Sequence, residues 1–110
     1  MEIDPVNVVA AMAKLEAELG KEWKRNPGLI DSKATSTSNY DGAIAIQTIT
    51  LKAAGDAISI IKDKAKGACK DELYQKILGE EMLKAHYVRI DILRSQLSAK
   101  KGVLEKFNLL

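Results

Sequence analysis

Lys66-Gly67-Ala68-Cys69-Lys70-Asp71 is the stretch on which the fold turns, because it is the one break in a pattern that otherwise reads as helix from Tyr40 to Phe107. That span holds no proline, and apolar residues recur at three- and four-residue spacing on both sides of Gly67-Ala68-Cys69-Lys70. Lys62, Lys64 and Lys66 complement the negative end of a helix dipole, Gly67 suits a left-handed cap, and Asp71 and Glu72 follow where the next helix favours negative charge. Two long helices joined by a short turn pack antiparallel, so the pattern predicts a helical hairpin of residues about 38–66 and 70–107.

Upstream, Ser38-Asn39-Tyr40-Asp41 has the form of a helix start. In the next segment, residues 43–51, the alternation and the β-branched residues would also suit a strand. A seven-residue series, Ile44, Leu51, Ile58, Ala65 with Gln47, Ala54, Ile61, Ala68, runs straight through it and favours helix. Downstream, Tyr74, Leu78, Met82, His86, Ile90, Leu93, Leu97, Leu104 and Phe107 trace the stripe of the second arm. The face-to-face core expected from this sets Leu78, Met82, Ile90, Leu93 and Leu97 against Ile44, Leu51, Ile58 and Ile61.

A shorter N-terminal helix opens at Asp4-Pro5, an acceptor side chain followed by a proline at the first helical position. Its stripe is Val8, Met12, Leu15, Leu19 and Trp23, with Lys14, Glu18, Lys21 and Arg25 opposite. Asn26-Pro27-Gly28 predicts its end, and the Ser- and Thr-rich run to Asn39 reads as a flexible loop of about 27–38. The expectation is an all-α, three-helix bundle forming one domain over 1–110, a size suited to a single core.

Composition narrows the function classes. Hydrophobic residues are 46% of the chain but aromatics only 5%, so the core is aliphatic. The net charge of +2 is too near balance to be a nucleic-acid footprint by itself. The lone Cys69 excludes an intrachain disulfide. No basic segment leads into an apolar run at the start, and no stretch reaches membrane-spanning length. A cytoplasmic, membrane-free setting is the expectation, with export lacking a cleavable signal or a place in a virion also open.

No catalytic residue, metal ligand or cofactor is expected. His86 has Met82, Leu83, Arg89 and Ile90 at the helical positions where a carboxylate would serve it, so neither Glu-x-x-His nor His-Glu-x-x-His occurs. Cys69 lies beside Lys66 and Lys70, near a helix start, where a thiol pKa is lowered, but it has no second cysteine as partner. Glycine-rich phosphate loops are absent.

What remains is apolar surplus. Ile46, Ile49, Ala53 and Ile60 fall outside the stripe that can face the other arm, and Gly55 beside Ala53-Ala54 suits close approach of a crossing helix. These five residues form the expected interface of a non-enzymatic homo-oligomer, working as adaptor, subunit or accessory factor with other protein subunits. The alternative is a nucleic-acid-binding accessory protein that uses Lys62, Lys64, Lys66 and Lys70 at the turn and Lys100 and Lys101 near the C-terminus.

Overall fold

A computed structural model describes residues 4–108. It is all-α. The described residues form α1 (Pro5–Ala53), α2 (Ile58–Ala68) and α3 (Lys70–Lys106), and the long α1 packs against the long α3 as a helical hairpin. The all-α class and the dominance of a long hairpin match expectation, but the arms are drawn differently. The first arm is α1 with 49 residues, not residues 38–66, and the shortest helix is α2 with 11.

α1 begins as its sequence predicts. The Asp4 carboxylate accepts the Val6 amide at 3.0 Å and Pro5 takes the first helical position. It does not end at Pro27, which lies inside the helix, nor does a loop occupy 27–38. A proline there removes the amide that would bond the Trp23 carbonyl and crowds that carbonyl, a cost of about 3 kcal/mol. Packing along α3 on both sides of the proline offsets it. Within the run that suggests a loop, Ser36 Oγ donates to the Lys33 carbonyl at 3.1 Å, and in the segment that would suit a strand Thr48 Oγ1 donates to Ile44 at 2.8 Å and Thr50 Oγ1 to Ile46 at 2.8 Å. Residues 38–41 are therefore mid-helix, and 43–51 is helix rather than strand.

The break that does occur lies at 54–57. Gly55 adopts φ 84°, its amide donates to the Lys52 carbonyl at 3.1 Å, and the Asp56 amide reaches back to Leu51 at 3.1 Å. Those two bonds with a left-handed glycine make a Schellman cap. Asp56 then accepts Lys64 Nζ at 2.8 Å, tying the turn to α2. Gly67 stays helical, and the α2–α3 corner is made by Cys69 alone, whose amide bonds Lys66 at 3.2 Å while its carbonyl accepts Leu73 at 3.0 Å.

The chain divides into two compact units, one formed by residues up to Pro27 with those from Lys84 onward, the other by Gly28–Leu83. In the first, α1 presents Val8, Met12, Leu15, Leu19, Glu22 and Asn26, and α3 presents His86, Ile90, Leu93, Leu97, Lys100 and Leu104, all buried or half-buried. Both series step alternately by four and three residues, the spacing of a coiled-coil seam. In the second, Ser36, Tyr40, Ala43 and Gln47 of α1 are half-buried, as are Lys76, Gly79 and Leu83 of α3.

This spacing corrects the expected core. Ile90 and Leu93 are buried and Leu97 half-buried, but Leu78 and Met82 are exposed. A stripe stepping by four at every turn drifts about 40° per step at 3.6 residues per turn, so going back from His86 it leaves the seam. Ile61 is buried, Ile44 and Leu51 are half-buried, and Ile58 is exposed; Ile44 and Ile61 belong to the second unit, whereas Ile90 and Leu93 belong to the first.

Candidate functional site

Each unit holds one feature of chemical interest. In the first it is a charged cluster within the seam. His86 is 3% exposed, with Nδ1 3.0 Å from Glu22 Oε2 and Nε2 3.1 Å from Asn26 Oδ1. Glu22 Oε1 accepts Arg89 Nε at 3.1 Å, Arg25 Nη1 lies 3.2 Å from Glu22 Oε2, and Arg89 Nη2 sits 3.6 Å from Glu18. Burial acts to raise the Glu22 pKa, but the His86 hydrogen bond and the Arg25 and Arg89 guanidinium groups outweigh it, and the carboxyl is held below its ordinary value.

The carboxylate absent from the helical neighbours of His86 thus comes from α1 across the hairpin. Both ring nitrogens are thus taken up by hydrogen-bond partners on α1. Glu22 orients the ring as a catalytic carboxylate would, yet Nε2 is engaged by Asn26 and the ring is buried, so the pair offers no open nitrogen to a substrate. A buried charged group whose partners are fixed is suited to setting helix register. At the edge of this unit Trp23 is half covered, with Arg94 stacked 5.2 Å from its ring centre.

In the second unit the feature is apolar surface. Ile46 and Ile49 are 65% and 68% exposed, and Ala53 continues their stripe at three- and four-residue spacing along the same face of α1. Ile60 on α2 is exposed as well. Gly55 is also exposed, but no crossing backbone explains it, since no atom lies within 4 Å of where its Cβ would stand; its φ does. Close approach occurs at Gly79 instead, where a Cβ would meet Ser36 Oγ at 3.0 Å and Lys33 Cα at 3.2 Å.

Between the last turns of α1 and α2 of this unit runs a groove of 420 Å³, floored by Ile44, Ile61 and Ala65 with Ile58 at its edge. Tyr40 closes one end, its ring 5.1 Å from Lys76 Nζ on the other side. Lys52, Lys62 and Lys66 line it, and none of the three makes an ion pair among the described residues. The lysines suggested for nucleic acid fall in both units. Lys62 and Lys66 share this groove, Lys64 is held by Asp56, Lys70 is exposed at the start of α3, and Lys100 (half-buried) and Lys101 (exposed) belong to the first unit.

Cys69 is buried, and burial first, then the nearby Glu72 charge, push its thiol up rather than down, against the expectation from its lysine neighbours. Among the described residues no group of three or more histidine, cysteine or acidic side chains could hold a metal ion, and no helix is long and apolar enough to cross a membrane. Comparison of this chain with protein-family models, curated proteins and solved structures found no match.

Proposed function

We propose that this protein is a non-enzymatic helical assembly factor that self-associates through the face of α1 bearing Ile46, Ile49 and Ala53, together with Ile60 of α2, and serves as subunit or adaptor in a larger complex. The observation that carries this reading is the exposure of two isoleucines on one helical face. The molecule's surface supports it. Sixteen large hydrophobic side chains are exposed against seven buried hydrophobic ones among the described residues. A second copy is the simplest cover for a contiguous apolar face, because closed symmetric association buries the same patch on both partners.

Replacement of Ile49 by Glu tests the reading, since desolvating a carboxylate at an interface is costly while a carboxylate in water is not. The variant keeps its helicity and shifts toward the mass of a single chain; a native protein that is already a monomer at high micromolar concentration overturns the proposal. Salt separates it from the nucleic-acid alternative. Apolar association persists as salt rises, whereas phosphate binding through Lys62, Lys64, Lys66, Lys70, Lys100 and Lys101 weakens steeply.

A further inference from the structure

We infer that the groove between α1 and α2 of the second unit receives an amphipathic helix of a partner protein whose apolar stripe is flanked by acidic residues. The floor is aliphatic: Ile61 and Ala65 are buried at its base and Ile44 is half-buried. On α1 the lining residues Tyr40, Ile44, Thr48 and Lys52 recur at four-residue steps, which extends the groove over three turns, about 18 Å. Ile58, 85% exposed, stands at its edge with nothing covering it. A groove between two helices, three turns long, is the shape into which an amphipathic helix lays i, i+3, i+4 and i+7 anchors.

The rim decides the charge of the occupant. Lys52, Lys62 and Lys66 line the groove without an ion-pair partner among the described residues, against the single acid Asp41. Lys62 and Lys66 lie four residues apart on one helical face, where like charges repel. Carboxylates on a docked helix would relieve that repulsion and give the complementarity that selects partners and speeds encounter. An amphiphile such as a fatty acid shares the chemistry of an apolar body and an anionic group. It binds best in a pocket that encloses most of its surface, and a groove with Ile58 exposed at its edge does not do that. The inference does not rest on self-association, because Ile46 and Ile49 are not among the groove's lining residues.

The test uses the full chain and three probes: a 15-residue peptide with leucines at helical spacing flanked by glutamates, the same peptide with lysines in place of the glutamates, and palmitate. Isoleucine methyl resonances and fluorescence anisotropy read binding. The acidic peptide is expected to bind at least tenfold more tightly than the basic one and to shift the Ile44, Ile58 and Ile61 methyls. The double variant Lys62→Glu with Lys66→Glu, both sites being exposed, is expected to reverse that preference while retaining native helicity. In Ile49→Glu, directed at the self-association face, acidic-peptide binding persists, so the two proposals fail separately. Equal binding of both peptides, no binding, or methyl shifts confined to Ile46 and Ile49 would overturn the inference. Palmitate shifting the groove methyls where the acidic peptide does not would overturn it in favour of an amphiphile.

Discussion

The two units of this hairpin use similar sequence material to opposite ends. The unit built from residues up to Pro27 and from Lys84 onward buries Val8, Ile90, Leu93 and Leu104 and closes a charged cluster around Glu22 and His86. The unit of Gly28–Leu83 buries only Ile61, Ala65 and Cys69 among its described hydrophobic residues, and leaves Ile46, Ile49, Ile58 and Ile60 in solvent. The difference is one of partner position. The first unit finds its complementary seam on the other arm of the same chain. In the second, small and polar residues such as Ser36, Ala43 and Gln47 occupy the α1 seam, so the large isoleucines point elsewhere. Apolar content alone therefore does not tell buried from exposed; its angular position on the helix does.

Truncating one large aliphatic residue in each unit separates the two most strongly. Leu93→Ala is expected to cost about 2 to 5 kcal/mol, the range for a buried leucine. Ile58→Ala is expected to change stability by less than about 0.5 kcal/mol, as surface substitutions do. Urea unfolding measures both, and comparable losses would show that the units are equally packed.

Next in size is a contrast between glycines. Gly79→Val places new atoms against Ser36 and the Lys33 backbone, with an expected loss of about 1 to 3 kcal/mol from overpacking. Gly20→Ala has open space around it in an exposed helical position, and is expected to stabilise by about 0.5 to 1 kcal/mol. Thermal unfolding of the two variants reads opposite shifts if the close approach at Gly79 is real.

A smaller effect is set by pH. Because the folded-state pKa of Glu22 is lowered, its ionised form contributes stability that is present above the ordinary glutamate range and is lost as pH falls through the folded value. The stability advantage of the native chain over Glu22→Gln is therefore expected to shrink as pH falls from about 5 to about 3, near and below the usual glutamate pKa of about 4.3. Denaturant midpoints of the two proteins across that range measure it, and a gap that widens toward acid would show that Glu22 is not a stabilising partner of His86 and Arg89.

How much of this was legible depends on whether the signal was local. The Asp4-Pro5 start, the acidic first turn of α3 and the corner at Cys69 rest on residues within a few positions of each other, and each was readable. Pro27 and the Ser- and Thr-rich run misled, because their local preference for a break is overridden by packing on α3, and the Ser36 hydroxyl finds a helix carbonyl. The Schellman turn at Gly55 was hidden by the seven-residue series running past it. That series nonetheless named Ile44, Ile58 and Ile61 together, and the structure does gather them, in one groove on two helices rather than along one. The Glu22–His86 pair spans 64 residues, so no spacing rule exposes it; the one hint was an acid beside the apolar stripe of the first helix.

Cover of the isoleucine face of α1 by a second copy of the chain, as proposed, is read by sedimentation equilibrium over a series from low to high micromolar. The expected result is a mass above 12.0 kDa that rises with concentration, and a return toward 12.0 kDa in Ile49→Glu with circular dichroism unchanged. A mass of 12.0 kDa at every concentration, with no other chain bound, would contradict it.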